Sequence, residues 1–303
     1  MILVATNMFI DSFIRHLKNE RKYSLHTLRA YAKDLRAFEE FLQNVEESLS
    51  LITVDVDLLR LWVASLVDNG SAASSVCRKL SSLRSFYAYM CSEGNMNTNP
   101  ALLVCAPKCP KSLPAFVKAE EMDELIDEIS FGEGFLACRD RAIILCFYET
   151  GIRLSELVGL NLDSVDLEQK QLKVLGKRNR ERIIPFADEL RGELCFYIAE
   201  RAKVAAADEQ ALFLSKNGMR VNQQQVYRVV NKRLAGVTGV KKKSPHVLRH
   251  SFATAMLNND AELMAVKELL GHKRLATTEI YTHLTFEELK RSYDKAHPRA
   301  GNN

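Results

Sequence analysis

The most informative stretch of the chain lies between positions 246 and 281, where imidazole, guanidinium and phenol side chains follow one another. Ser244 can cap a helix and Pro245 suits its first turn, so His246 and Arg249 lie three residues apart on one helix face. A helix N-terminus offers free backbone N–H groups to an anion, and a guanidinium binds phosphate oxygens in a forked geometry. This spacing predicts a phosphate site at the start of the helix.

A second imidazole and a phenol lie further along the same stretch. Leu270-Gly271-His272 is typical of a helix that ends at glycine, which places His272 at a helix terminus. Tyr281 follows nine residues later, and Thr277 or Thr278 can open a short helix that would carry Tyr281 in its first turns. Alone, His272 is typical of a surface residue and Tyr281 of a packing residue. Together with the cationic donors, a phenolic oxygen suits nucleophilic attack on a phosphodiester.

The turn after residue 150 supplies a further guanidinium. Gly151 permits a turn between two helices, and Arg153 follows at once, with Ser155 or Glu156 able to orient it. The alternative interpretation is an exposed Arg–Glu pair, which would contribute little to stability. Arg153 is therefore a candidate for the same site.

Basic residues are concentrated in two short runs. They are Lys173, Lys177, Arg178, Arg180 and Arg182 in and beside a polar turn, and Lys241, Lys242 and Lys243 just before the candidate phosphate site. A turn can project the ammonium group of Lys177 into an active site, whereas Arg178 and Arg180 favour nonspecific phosphate contacts. Either run alone would be typical of a solvated surface. Two runs near a candidate phosphate site indicate a polyanionic partner.

Neither a metal ion nor ATP is expected. The spacing of His246 and His250 would suit a metal, but no nearby carboxylate completes a ligand set, so His250 is predicted to be a structural, hydrogen-bonded histidine. Cys105 and Cys109 form the one close cysteine pair, and no second pair completes a zinc site. No carboxylate cluster indicates a two-metal site, and no P-loop pattern is present.

The bulk composition is that of a globular protein in a reducing compartment. The 303 residues fit two domains, and 47% hydrophobic with 26% charged residues indicates a sizeable core. The seven cysteines are odd in number and show no disulfide spacing. No apolar run is long enough for a membrane span and no secretory signal is present, so a cytoplasmic location is expected. The net charge of +4 only weakly favours a nucleic acid partner.

The first hundred residues predict a unit of four helices. Ser24 and Ser71 are candidate N-caps of two of them, and a shorter helix containing Trp62 lies between. Four prolines follow within fifteen residues, which is typical of a stiff linker. The predicted limits are therefore 1–106 for the N-terminal domain, 107–117 for the linker and 118–303 for the second domain.

The second domain is predicted to be mostly helical with one small sheet. The helices are predicted at 119–129, 137–150, 154–159, 188–205, 222–235, 245–258, 261–270 and 285–295. Between 164 and 186 the apolar residues flank a polar turn, which predicts a β-hairpin or small sheet. Leu212 to Leu214 is a candidate short strand.

Five sequence motifs occur in a characteristic order. They are Thr150 to Leu157, Gly176-Lys177, His246 to Thr254, Glu268 to His272, and Thr277 to His283. In this order and spacing the chain resembles tyrosine recombinases of the Xer group, which are related to the phage integrases. The resemblance covers nearly the whole chain. It implies a mainly α fold, in which an all-α, SAM-like core-binding domain precedes a mostly α catalytic domain with a small antiparallel β-sheet.

The resemblance also implies a role for each matching residue. The six matching residues are Arg153, Lys177, His246, Arg249, His272 and Tyr281. Tyr281 matches the nucleophile that forms a 3′-phosphotyrosyl bond, and Lys177 the general acid for the departing 5′-oxygen. The two arginines match the pair that binds the non-bridging phosphate oxygens, and the two histidines match donors to the phosphate or aids to proton transfer. Ala255 and Asp260 depart from the family pattern outside this set.

The biology implied by the resemblance is site-specific strand exchange through a Holliday junction. The partner is double-stranded DNA with a specific site, bound by a tetramer on two sites, formed with itself or with a paralogous recombinase. Resolution of chromosome or plasmid dimers is expected, with a septal DNA translocase as a candidate regulator. The alternatives are integration or excision of a mobile element, a type IB topoisomerase-like relaxase, and a non-catalytic DNA-binding protein.

The segment after Tyr281 predicts one more amphipathic helix. Phe286, Leu289 and Tyr293 form a single apolar stripe. This stripe can pack on its own domain. The resemblance favours packing on a neighbouring subunit, which would couple cleavage between subunits.

Overall fold

The computed structural model describes residues 2–108, 115–128, 131–176, 181–237, 239–240, 243–271 and 285–300. The chain divides into two compact units, Met1–Ser112 and Leu113–Asn303, and each unit has its own core of buried side chains. The division falls within the proline-containing stretch 107–117. None of the described helices is long and apolar enough to cross a membrane.

The first unit is a bundle of four α-helices followed by a short 3₁₀ turn. Its elements are α1 (Ile2–Asn19), α2 (Leu25–Val45), α3 (Val56–Asp68), α4 (Ala73–Ser92) and the 3₁₀ turn Pro100–Leu103. The four predicted helices are confirmed. Their apolar stripes meet in an aromatic core, where the ring centroids of Phe13 and Phe86 lie 5.5 Å apart and those of Phe38 and Trp62 lie 4.7 Å apart.

The two predicted serine caps have different outcomes. Ser24 is the N-cap of α2, and its hydroxyl accepts a hydrogen bond from a backbone N–H of the first turn at 3.3 Å. The prediction that Ser71 caps α4 is wrong, because Ala72 is the N-cap residue and makes no side-chain cap. Ser71 instead closes the end of α3, where its N–H donates to the Leu66 carbonyl at 2.9 Å after Gly70 has turned the chain at φ 73°.

The second unit is mostly helical, and each of the eight helices predicted between 119 and 295 is present, whereas the short helix predicted around Tyr281 lies outside the described residues. Its helices are α5 (Ala119–Asp123), α6 (Phe135–Thr150), α7 (Leu154–Gly159), α8 (Asp188–Ala202), α9 (Gln223–Leu234), α10 (Pro245–Asn258), α11 (Leu263–Leu270) and α12 (Phe286–Ala296). The largest difference concerns 119–129, where α5 is short and continues as a π-helical turn over Glu124–Glu128. Helix α6 lies at the centre, because all residues from 142 to 150 are buried, and it packs against α8 and α10.

A small antiparallel sheet confirms the predicted hairpin. Its strands are β1 (Val165–Asp166), β2 (Gln171–Leu175) and β3 (Glu181–Pro185), in the order β1-β2-β3. The stretch from Leu212 to Leu214 does not form the predicted strand. The chain makes isolated bridges there instead, from Ala211, just before the stretch, to Asn161, and from Leu214, its last residue, to Arg220.

The C-terminal helix α12 packs within its own unit. Leu289 and Tyr293 are buried there, and α12 contacts α10, α11 and β3. The arrangement on a neighbouring subunit, which the family resemblance favours, is therefore not the one that this chain adopts by itself. Asp260, one of the two departures from the family pattern, has a φ of 61°, a conformation that favours glycine but that Asp tolerates better than most residues.

Candidate active site

A glycine turn joins α6 to the first candidate arginine. Helix α6 ends at Gly151, which has the left-handed backbone angles φ 57° and ψ 23°. A Cβ atom there would lie 2.5 Å from Cδ1 of Phe252 and 2.8 Å from Cδ2 of Leu270. Glycine is required both by the backbone angle and by the close approach of α10 and α11. The turn therefore fixes the start of α7 against these two helices.

Arg153 begins α7 and is oriented by Glu156, one of the two residues, Ser155 and Glu156, that the sequence offers for this role. The Arg153 N–H donates to Oε2 of Glu156 at 2.8 Å, and its Nη1 donates to Oε1 at 2.8 Å. Its Nη2 donates to the carbonyl of Gly271 at 2.8 Å. The side chain is 34% exposed, whereas that of Glu156 is 3% exposed. The pair is thus no exposed surface ion pair, because its carboxylate is enclosed while the guanidinium faces outward.

Arg249 lies on α10 and is buried. Its Nη1 donates to the carbonyl of Gly151 and its Nη2 to the carbonyl of Leu270, both at 2.5 Å. Burial, and then the positive charge of Arg153, lower the pKa of this guanidinium to about 9, while Glu156 opposes the shift. Arg249 is a cation in surroundings that favour binding of an anion.

A third guanidinium, from Arg182 on β3, completes the cluster. Its Nη1 donates to Oε1 of Glu156 at 2.8 Å, its Nη2 to Oε2 at 2.9 Å, and its Nε to the carbonyl of Leu269 at 2.9 Å. Burial raises the pKa of Glu156, but the hydrogen bonds and charge of Arg182, together with Arg153, hold it at about 2. Three guanidinium groups and one carboxylate leave two net positive charges.

Sequence reasoning placed Arg182 only in a basic, strand-flanking segment. A signal for its role was present, because Arg182 pairs with the buried Val174 and alternates with the buried Ile184 on one face of the hairpin. A charged residue on an inward-facing position needs a buried partner. Glu156 is that partner.

The three arginines converge on one helix end. Helix α11 ends at Gly271, with φ 63° and ψ 49°, which confirms the predicted glycine stop. Three consecutive carbonyl groups of this end, from Leu269, Leu270 and Gly271, accept hydrogen bonds from Arg182, Arg249 and Arg153 in turn. Carbonyls of a last helical turn lack partners within the helix and carry its negative partial charge. The guanidinium groups satisfy both needs.

The first turn of α10 begins where the sequence predicts it, with Ser244 at the N-cap position and Pro245 at the first helical position. The predicted side-chain cap is wrong, because the Ser244 hydroxyl makes no hydrogen bond to the first turn. His246 is exposed in this turn. The prediction that His250 is a hydrogen-bonded, structural residue is wrong, because its side chain is exposed and makes no hydrogen bond to the described part of the chain. Lys243 is half-buried, and its carbonyl accepts from Asn231 Nδ2 at 3.1 Å.

The other predicted site residues lie outside the described residues. They are Lys177, Arg178, Arg180, Lys241, Lys242, His272 and Tyr281. Residues 176 and 181, on either side of the basic segment in the sequence, are described, as is Gly271 immediately before His272. In the described ranges, no group of three His, Cys, Asp or Glu residues could hold a metal ion.

Comparison with known proteins defines the class. The model of the phage integrase family matches residues 115–288, and that of the phage integrase N-terminal SAM-like domain matches residues 10–94. The tyrosine recombinase XerC of Thermodesulfovibrio yellowstonii is 39% identical over 301 residues, which cover 98% of each chain. XerC of Azotobacter vinelandii is 40% identical over 292 residues, which cover 96% of each. The chain belongs to the phage integrase family and is a tyrosine recombinase, as the sequence motifs predict.

Solved structures share the architecture. The integrase of transposon Tn1549, in complex with transposon right end DNA, has a TM-score of 0.73 at 20% identity and covers 94% of this chain and 98% of that one. The XerH site-specific recombinase bound to difH substrate has a TM-score of 0.67 at 24% identity and covers 93% of this chain and 83% of that one. These likenesses show the fold alone. They confirm the predicted mainly α fold with a small antiparallel sheet.

Proposed function

We propose that this recombinase cuts and rejoins duplex DNA at a specific site, through a covalent bond between Tyr281 and a 3′-phosphate. The observation that carries the proposal is the placement of Arg153 and Arg249 on the neighbouring carbonyl groups of Gly271 and Leu270. Within the described part of the chain, the Nε of each guanidinium has no hydrogen-bond partner. A phosphate between the two groups would meet donors that are already fixed in position.

The two fixed guanidinium groups suit the transition state of phosphoryl transfer. Negative charge increases on the non-bridging oxygens as the nucleophile approaches, and donors held in place stabilise that charge without reorganisation. Removal of one such donor typically costs about 3–4 kcal/mol, or roughly a hundredfold to a thousandfold in rate. Arg153 and Arg249 are therefore proposed to bind the non-bridging oxygens of the scissile phosphate.

The remaining proposed roles balance the reaction. The Tyr281 oxygen forms a bond to phosphorus while the bond to the 5′-oxygen breaks, and Lys177 gives a proton to that oxygen. His246 and His272 donate to the phosphate or assist removal of the phenol proton, which is needed because an unperturbed phenol has a pKa of about 10. The reverse attack by a 5′-hydroxyl rejoins the strand. Because the phosphotyrosine conserves the bond energy, rejoining needs no nucleotide cofactor.

The basic runs are proposed to bind the DNA backbone. Arg178 and Arg180 accompany Lys177 in the sequence between β2 and β3, and Lys241, Lys242 and Lys243 precede α10. Contacts of this kind raise the affinity for any duplex and make it depend strongly on salt, but they do not read the base sequence.

The test is capture of the covalent intermediate on a nicked suicide substrate, which loses the attacking strand after cleavage. Wild-type protein is expected to give a covalent protein–DNA adduct, and Tyr281→Phe none, because phenylalanine has no oxygen to attack phosphorus. Tyr227→Phe is the matched control, since Tyr227 is an exposed tyrosine of the same unit. An adduct that persists in Tyr281→Phe, or is lost in Tyr227→Phe, would overturn the assignment.

The biological role is proposed to be resolution of chromosome or plasmid dimers in the cytoplasm. The support is the similarity over nearly the whole chain to proteins named XerC. The active form is proposed to be a tetramer on two DNA sites, of this chain alone or with a paralogous recombinase, with a septal DNA translocase as regulator. Integration or excision of a mobile element is the second candidate, supported by the family match. Products that require a second specific site would exclude a topoisomerase-like relaxase, which acts on one site.

A further inference from the structure

We propose that Arg182 is a positioning residue for strand cleavage. It acts on Arg153 through Glu156, and it also fixes the end of α11, whose carbonyl groups anchor Arg249 and Arg153. The inference rests on the proposed function, because it concerns how Arg153 is presented to the phosphate. Arg182 is not among the six residues that match the family's catalytic set. Its side chain is 13% exposed, so it is enclosed next to the almost completely buried Glu156.

Every nitrogen of the Arg182 guanidinium already has an acceptor in the protein. Nη1 and Nη2 each donate to one oxygen of Glu156, and Nε donates to the carbonyl of Leu269. A group with its nitrogens committed in this way is suited to hold other residues rather than to bind substrate. Arg182 therefore acts on the phosphate only through the residues that it fixes.

The first target is the carboxylate that orients Arg153. Glu156 accepts four hydrogen bonds, two from Arg153 and two from Arg182. Without Arg182, Arg153 would be the one arginine hydrogen-bonded to the Glu156 carboxylate. Glu156 would then neutralise more of the positive charge of Arg153. With Arg182 in place, the negative charge of Glu156 is shared, and more of the field of Arg153 remains for the phosphate.

The second target is the end of α11. Arg182 holds the Leu269 carbonyl, and a Cβ atom on Gly271 would lie 3.3 Å from its Nη1 and 3.4 Å from its Cδ. Arg182 thus packs directly on the glycine that ends the helix. The neighbouring carbonyl groups at this helix end anchor Arg249 and Arg153. One side chain therefore supports both proposed phosphate-binding groups.

The test is single-turnover cleavage of the nicked substrate by Arg182→Lys, measured together with DNA affinity and thermal unfolding. Lysine keeps the charge but cannot donate in a fork to both oxygens of Glu156. We expect cleavage to slow by roughly tenfold to a hundredfold, the scale for a misplaced catalytic group, while DNA affinity stays within about twofold. Cleavage at the wild-type rate would overturn the proposal.

The matched control is Arg201→Lys. Arg201 is 5% exposed and donates Nε to the Ala211 carbonyl at 2.9 Å and Nη2 to the Glu209 carbonyl at 2.5 Å, but it bonds to no carboxylate of the site. It should lower the unfolding temperature and leave the cleavage rate of the folded protein unchanged. An equal loss of rate in both variants would mean that Arg182 supports only the fold, and would refute the positioning role.

A double-mutant comparison reports on the route through Arg153. Arg182→Lys should slow cleavage strongly in the wild-type background and clearly less in an Arg153→Lys background, where the route through Arg153 is already altered and only the route through the end of α11 remains. Effects that multiply fully in the double variant would contradict the proposal. Should Arg182→Lys not fold, Glu156→Gln provides the same comparison, since it removes the charge that Arg182 and Arg153 share. Adduct formation by wild-type protein is judged separately, so loss of the proposed function is distinguishable from loss of this inference.

Discussion

A buried arginine next to two other arginines is electrostatically unfavourable unless a negative charge nearby compensates it. Arg249 is buried, and its pKa is lowered by that burial and by Arg153 and Arg182. The carboxylate of Glu156 compensates only part of the positive charge. A bound phosphate would supply the missing negative charge, which supports the proposed phosphate site.

His297, just after α12, is a titratable side chain in the core of the same unit. It is 3% exposed, and its ring stacks on Tyr293 with centroids 5.0 Å apart. Burial lowers its pKa to about 4. In the unfolded chain this histidine is protonated below about pH 6.5, whereas in the folded protein it is protonated only below about pH 4. Stability should therefore fall as the pH drops through this window, by about 3 kcal/mol in total.

Chemical denaturation of wild type and His297→Gln between pH 4 and 7 measures this contribution. The variant should lose stability at pH 7 and should show the shallower decline towards pH 4, because it lacks the titrating ring. His250→Gln is the control, since that side chain is exposed. Parallel pH profiles of wild type and His297→Gln would refute the assignment.

The residue scale also shows what sequence can and cannot provide. Arg153 and Arg249 could be found because each follows a local signal, a glycine turn or a helix start. Arg182 could not be assigned in the same way, because its partners Glu156 and Leu269 lie 26 and 87 residues away. Pairings of this kind depend on how the hairpin packs against α7 and α11, which no local pattern specifies.

At the scale of elements, the end of α11 organises the site. Its three terminal carbonyl groups accept hydrogen bonds from guanidinium groups of β3, α10 and the start of α7. Each arginine thereby ties a different element to one helix terminus. A shift of α11 would move Arg153 and Arg249 together, so the geometry of the site depends on the helix as a body.

Gly151 should be the least replaceable residue of this arrangement. In Gly151→Ala the added Cβ would lie 2.5 Å from Phe252 in a left-handed backbone conformation. Strain and overpacking together should lower the free energy of unfolding by about 3 kcal/mol or more. Gly94→Ala is the control, because Gly94 has a φ of 72° with nothing within 4 Å, and should lose only about 1 kcal/mol. Equal losses in urea denaturation would contradict the packing argument.

Helix ends were less predictable than helix existence. Each amphipathic stretch formed a helix, because an apolar stripe has to be buried whatever its neighbours are. Ser71, however, has a side chain suited to a cap, and the chain uses its backbone N–H to end α3 instead. A local cap preference of about 1 kcal/mol therefore did not decide where α4 begins.

At the scale of the molecule, each of the two units has its own hydrophobic core. The core of the first unit includes Phe13, Phe38 and Trp62, and that of the second surrounds α6. The six proposed catalytic residues all belong to the second unit, Leu113–Asn303. Chemistry and the helical bundle are therefore encoded in separate parts of the sequence.

This separation predicts that the fragment 113–303 folds and reacts without the first unit. It should unfold cooperatively in calorimetry, because its core is complete within the unit. It should still form the Tyr281 adduct on the nicked substrate, at a DNA concentration raised by at least about tenfold, since fewer phosphate contacts remain. Fragment 1–112 should fold and form no adduct. If fragment 113–303 stays unfolded, or folds but gives no adduct at saturating DNA, the second unit depends on the helical bundle for more than DNA affinity.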